Sequence, residues 1–460
     1  MSKRTKTLIM ALVVLVILGG GYFGATAWKN RKAEIASASL APSLKLGNLE
    51  SASLVKIETP VMTLEKIGET WQLVSLNGER PAREIELNLR QIQRLTNFLA
   101  TVWVERTVDE EPADLSVYGL DETSFRTTVT DSEGNKAEYI VGNMTPSRDQ
   151  YYAMEEGDPK VYAIASYSAE NLMVTLDKIR EKTLFQTFEL KALNSFRLET
   201  PQTTIEIHAK PESVMPYLDT IFSLFILDSP YKIPRGVDGT ALDKLLAVFK
   251  NLEIDEFVDD NPASLNPYGL DKPSRILLQT TDASLDLEIG NPVDGKRYAK
   301  LAGAPGVFTL YGMDSVINVK PFTLMNKFAL LVNIDKAEQL SVSGGERELS
   351  ADFEGEGDDA VYSLNGKKAE TNSFKSFYQA VVGLIIDAET PAAARIPETA
   401  GPTITIEYRL NSPPGAQVSI ALIPYNRDFY ALSQEGTREF LISQNQVRNI
   451  FEKADAVVYE

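Results

Sequence analysis

The residues most open to a chemical reading are Tyr118-Gly119-Leu120-Asp121 and Tyr268-Gly269-Leu270-Asp271, one string written twice 150 residues apart. A phenol, a carboxylate and a glycine within four positions could form a ligand loop, because glycine lets a bound group approach the backbone closely. The same glycine also supplies a positive φ, and Tyr and Leu can anchor a turn in a core. The second reading is preferred: the two strings are expected to be repeat-marking structural turns that aim the strand that follows. Tyr151, Tyr152, Tyr298 and Tyr430 could stack on a sugar or a peptide. Strand alternation buries every second side chain in any case, so core packing is expected of them.

Other reactive groups are few. His208 is the sole histidine and cysteine is absent, which excludes a histidine- or thiolate-based zinc site within one chain. A Ser-His-Asp relay would have to use this one imidazole, and no nucleophile elbow surrounds any serine. His208 therefore reads as an ordinary residue of the alternating run Thr204 to Ala209. Carboxylates are abundant, yet an acid and base pair for glycoside hydrolysis is defined by separation in space, not by count. Asp131-Ser132-Glu133-Gly134-Asn135 and Gly355-Glu356-Gly357-Asp358-Asp359 lack the spaced ligands of an EF-hand and read as hairpin tips. No phosphate-cradling glycine loop follows a strand. No catalytic, cofactor-binding or metal residue is assigned, and no cofactor is expected.

The elements that must position these groups begin with an apolar run. Thr7 to Trp28 is uncharged over 22 residues, with Lys3, Arg4 and Lys6 before it and Lys29, Arg31 and Lys32 after it. About 20 apolar residues cross a bilayer, and basic residues on the starting side favour a cytoplasmic N-terminus. Leu8 to Leu18 followed by Ala25-Thr26-Ala27 also fits a cleaved signal peptide. The length of the run and the interfacial aromatics Tyr22, Phe23 and Trp28 favour an uncleaved anchor, with the bulk of the chain periplasmic or extracellular. Beyond residue 32 stand 40 basic against 64 acidic side chains, a net of −24. No dense basic block follows the anchor, so nucleic acid is not an expected partner. At 460 residues the chain has room for about three domains of ~150 residues.

Three units are what the pattern gives. After each Tyr-Gly-Leu-Asp comes an alternating run ending in Val141-Gly142-Asn143 or Ile289-Gly290-Asn291, then Tyr152-Ala153 or Tyr298-Ala299, then an aromatic at Tyr162 or Phe308. Tyr430-Ala431 and Phe440 keep that interval a third time. Ile254-Asp255, Tyr298 and Phe308 recur 132 residues later as Ile386-Asp387, Tyr430 and Phe440. Helical periodicity precedes each Tyr-Ala element: Leu89, Ile92, Leu95, Phe98, Leu99 and Val102; then Leu242 to Leu252; then Phe374, Phe377, Val381, Leu384 and Ile385. Further helices are expected over Glu170 to Lys182 and Gln444 to Ala454. The third unit has Ile396-Pro397-Glu398 where the Tyr-Gly-Leu-Asp turn should stand. The reading is α+β: three tandem repeats of antiparallel sheet with packed helices, preceded by one N-terminal transmembrane helix. The expected divisions are 1–32 (cytoplasmic tip and anchor), 33–50 (stalk), 51–190, 191–332 and 333–460 (the divergent third unit).

The anchor, the opening Val55-Lys56-Ile57-Glu58 strand, Trp71, the Tyr-Gly-Leu turn, Val-Gly-Asn and Tyr-Tyr-Ala together resemble an uncharacterised bacterial envelope family of unknown function, DUF4340. The resemblance covers the first two units; the third follows by spacing. It implies an envelope protein accessory to ABC-type transport and carries no catalytic residues with it. The expectation is a single-pass inner-membrane protein whose extracytoplasmic repeats bind envelope or ABC-transporter proteins, with the lipid bilayer as its other partner. The alternative is a carbohydrate-active or peptidoglycan-processing enzyme using a carboxylate pair.

Overall fold

The computed structural model describes residues 44–460 apart from 82, 212–221, 356, 392–402 and 412–413, and apart from the side chain of residue 358. The Thr7 to Trp28 run and Ile396-Pro397-Glu398 lie outside the described residues. Among those described, no helix is long and apolar enough to cross a membrane.

The chain is α+β, with several antiparallel sheets and a few helices. It divides into two compact units between Glu181 and Lys182. The first unit holds an eight-stranded sheet, the second two nine-stranded sheets. Across the first sheet the order is Thr70–Leu76, Met62–Ile67, Leu54–Glu58, Phe125–Asp131, Lys136–Met144, Gln150–Glu155, Val161–Ala165 and Arg106–Asp109. The other two sheets follow the same plan. Leu193–Glu199 pairs with Ser274–Thr280 at the centre of one and Ala337–Gly344 with Ile404–Asn411 at the centre of the other. Phe257–Asp259 and Ala388–Glu389 close their far edges.

A helix with one apolar stripe covers a face of each sheet, and each begins with the same device. An unpaired amide at a helix start needs an acceptor. Asn88 accepts from Gln91 N at 3.1 Å, Asp238 from Ala241 N at 2.9 Å, and Glu370 from Asn372 N and Ser373 N at 2.9 and 2.8 Å. The helices run Leu89–Ala100, Gly239–Leu246 and Thr371–Val382. Ile92, Leu95 and Leu99 of the first are buried, whereas Leu89, at its first position, is exposed. The residue before each cap bridges to chain beyond the later helices, as Leu87 to Arg180, Val237 to Met325 and Ala369 to Tyr459. Sheets two and three share one continuous core. The helix expected over Glu170 to Lys182 is instead two short ones, Ser166–Leu172 and Leu176–Ile179. Between them Val174 is buried and Thr175 takes an extended backbone, consistent with the weak helix preference of β-branched residues.

Candidate functional site

The repeated motifs converge on one corner, present once in the first unit and once on the second sheet. Leu115–Tyr118 form a 3-10 turn that Asp114 caps by accepting from Ser116 N at 2.9 Å. Gly119 ends it at φ +69°, in the left-handed region that other residues resist. Leu120 N donates back to Leu115 O at 3.1 Å, and the Leu120 side chain is buried with Ile140, Met154 and Val161. A Cβ on Gly119 would collide with the Asn143 amide group, and one on Gly142 with the Tyr118 carbonyl. The Tyr-Gly-Leu and Val-Gly-Asn motifs therefore interlock through two glycines.

Asp121 accepts from Thr123 N at 2.8 Å and from Thr123 Oγ1 at 2.6 Å, and these bonds hold its carboxyl below the usual range. Tyr118 Oη donates to Asp109 Oδ2 at 2.8 Å, which raises the phenol above its ordinary value, and its ring meets Tyr152 edge to face at 5.0 Å and 71°.

The second copy keeps this geometry. Asn266–Tyr268 form the turn, Gly269 sits at φ +66°, Leu270 N donates to Leu265 O at 3.1 Å, and Leu270 is buried. Tyr268 Oη donates to Asp259 Oδ2 at 3.1 Å, and Tyr268 meets Tyr298 at 5.1 Å and 71°. Gly269 stands against Asn291, and Gly290 against the Tyr268 carbonyl. Asp271 is exposed at the end of the turn. The corresponding stretch of the third sheet lies outside the described residues.

Asp109 and Asp259 escaped the motif reading, although the signal was present. Val108-Asp109, Pro112-Ala113 and Leu115 recur as Val258-Asp259, Pro262-Ala263 and Leu265 at the same 150-residue offset. At each corner the phenol is committed to its aspartate.

His208 lies in the strand Thr204–Ala209. Its Nδ1 lies 2.6 Å from Asp228 Oδ2, with the two side chains 39% and 37% exposed. Burial raises the Asp228 carboxyl, Glu206 adds to that, and His208 opposes it. Ser195 is the cross-strand partner of His208, so a serine, an imidazole and a carboxylate stand on three neighbouring strands. The Ser195 hydroxyl, however, donates to Gln279 Oε1 at 3.0 Å, and a nucleophile needs that proton directed at its base. Arg275 grips Asp286 through two bonds of 2.9 and 2.6 Å, and Lys300 binds Glu288 at 2.8 Å. The face of the second sheet turned from its core is thus laced with cross-strand ion pairs. The Asp131 hairpin tip is closed the same way: its carboxylate accepts from Glu133 N, Asn135 N and Asn135 Nδ2. Among the described residues no group of three or more Asp, Glu or His side chains converges as metal ligands.

Residues 71–218 and 226–401, well over half of the chain, match the family described as Domain of unknown function (DUF4340). The chain belongs to this family. Both DUF4340 stretches begin in the third strand of a sheet, at Trp71 in Thr70–Leu76 and at Ile226 in Phe225–Ser229. No curated protein and no solved structure matches the chain.

Inside the second unit of this DUF4340 protein, the segment after Phe225–Ser229 joins the two sheets. Tyr231 Oη donates to Glu389 Oε1 at 2.7 Å, Lys232 N donates to the Glu439 carboxylate at 3.1 Å, and the Arg235 guanidinium lies 4.8 Å from the Phe440 ring centre. Burial, then the bond to Glu389, pushes the Tyr231 phenol well above its usual value. Lys327 is drawn down to about 8 by burial, against the pull of Glu389 and Asp238. A cleft of about 260 Å³ opens elsewhere on the third sheet beside Asp335, Glu338, Phe353 and Tyr362; there Glu338 is already paired with Arg409. The Tyr231, Lys232 and Arg235 contacts hold the second and third sheets to one another.

Proposed function

We propose that the chain is a membrane-anchored extracytoplasmic binding module: three tandem repeats behind one transmembrane helix, acting as an accessory subunit of an ABC-type transport or envelope complex. The observation that carries this reading is the shared plan of the three sheets, with the same cap, bridge and strand order. A repeated scaffold supplies reach and outward surface, as other repeat architectures do. The uncharged run Thr7 to Trp28 supports the anchor, and the acidic balance beyond it keeps that surface soluble.

Affinity purification of the full chain from solubilised membranes tests the partner. Stoichiometric recovery of transporter or envelope subunits is expected. Recovery of the chain alone, under conditions that keep other membrane complexes intact, would remove the reading.

A further inference from the structure

Chain arriving from upstream reaches each sheet at the same place. In the second unit, Thr183–Phe185 pairs with Leu252–Glu253, just past the second sheet's helix, and Phe328 bridges to Ile385, just past the third's. Ile254 N donates to Lys182 O at 2.7 Å, and Ile386 N to Lys327 O at 2.7 Å. In the first unit Lys45–Leu46 pairs with Val102–Trp103, and Val104 N donates to Leu44 O at 3.1 Å. Val104, Ile254 and Ile386 are equivalent under the 150- and 132-residue offsets, which makes Trp103, Glu253 and Ile385 equivalent too. Gly47 N, donating to Glu155 Oε2 at 2.8 Å, fixes the incoming segment of the first unit.

What lies upstream differs between these places. For the third sheet it is protein: Ile385 is half-buried and Ile386 fully buried beside chain from the second sheet. For the first sheet it is residues 1–43, which hold the apolar run. Trp103 nevertheless stands 53% exposed, with Lys45 as its cross-strand neighbour. Leu46 and Val102, on the other side of this ribbon, are buried. An indole with an apolar body and a polar N–H, beside an ammonium group, matches the headgroup layer of a bilayer. Arg106 is exposed nearby, as are Glu105 and Glu50.

We infer that Trp103 and Lys45 seat the first unit on the lipid surface, so that the bilayer takes the place a preceding sheet takes for the third repeat. Residues 29–43 could span at most about 50 Å, which bounds the separation of the ribbon from the end of the apolar run. The inference rests on the membrane anchor of the proposed function.

The absence of cysteine makes a site-specific test clean. Trp103→Cys and Ile67→Cys, each in the full chain, are labelled with an environment-sensitive fluorophore and reconstituted into phosphatidylcholine–phosphatidylglycerol vesicles. Ile67 is exposed at the end of Met62–Ile67, in the eight-stranded sheet, whereas Trp103 lies in the separate two-stranded ribbon with Lys45–Leu46. A blue-shifted emission at 103, quenched several-fold more by headgroup-labelled lipid than at 67, is expected. In the chain with its native tryptophans, brominated lipid should quench emission more strongly than it does in Trp103→Phe, which reads the same contact without a label. Water-like emission at both sites from a chain that floats with the vesicles overturns the inference alone. A chain that does not float overturns the anchor, and this inference with it.

Discussion

Gly142→Ala should damage the chain more than Gly119→Ala, although Gly119 is the glycine with the positive φ. At Gly119 the added methyl meets an exposed Asn143 side chain that can swing away. What remains is the left-handed backbone at φ +69°, which costs an L-residue about 1–2 kcal/mol. At Gly142 the methyl meets the Tyr118 carbonyl and, at 3.0 Å, the Leu120 side chain, both part of the corner itself. Neither can yield without dragging Leu120 from its pocket, so the penalty belongs at the upper end of overpacking, about 3 kcal/mol. At roughly 2–4 °C per kcal/mol for a unit of this size, melting should fall by about 2–8 °C for Gly119→Ala and about 6–12 °C for Gly142→Ala. Urea unfolding gives the free energies directly. Placing Gly119→Ala in an Asn143→Ala background should leave most of its penalty, because the backbone term is untouched. Gly290→Ala should likewise exceed Gly269→Ala in the second copy. If Gly142→Ala proves as mild as Gly119→Ala, or if the order reverses in either copy, the interlocked corner is wrong.

Three other outcomes follow from the same packing. Lys327 has a folded-state value of about 8 against an ordinary 10.5, so below pH 8 the unfolded chain carries its charge more cheaply. The contribution of Lys327 to stability should therefore rise as pH climbs from about 8 to 10.5, by about 1 kcal/mol after discounting for partial exposure, read as the change with pH of the difference between the native chain and Lys327→Met in urea titrations. Tyr231→Phe strips Glu389 of its donor in a half-buried setting and should cost about 1.5–3 kcal/mol, with faster hydrogen exchange at Ile386 N, where the two sheets meet. Tyr139 is buried and its hydroxyl donates to Leu99 O at 2.6 Å, so Tyr139→Phe should lower stability by about 1–2 kcal/mol by orphaning a helix-end carbonyl, measurable by the same titration.

The repeat was legible in the chain because it is written in local periodicity. Leu89 to Leu99 and Phe374 to Val381 carry the 3.6-residue stripe, and the alternating runs carry the strands. The Tyr118 and Tyr268 turns were legible for a related reason, since glycine at a left-handed position is a local requirement. Their surroundings were less so. Asn143 reaches Gly119 across 24 residues of sequence because strand register brings them together, and register is not a local property. His208 meets Asp228 by the same route, through its pairing with Ile226. Asp109 and Asp259 could have been found by extending the comparison nine residues upstream of each tyrosine. The contacts of Tyr231 and Lys232 with Glu389 and Glu439 carry no repeat signature, because they run from one sheet to the next and not within either.

The claim that the repeats exist to bind a partner is tested most directly by photocrosslinking in living cells. A photoreactive residue replaces, one at a time, exposed Val117, Tyr167 or Tyr311 and, as internal controls, buried Val129 or Leu278. Adducts to a transporter or envelope subunit are expected from at least one exposed position and from neither buried one. A chain that fractionates with the inner membrane yet gives no adduct from any exposed position would contradict the account.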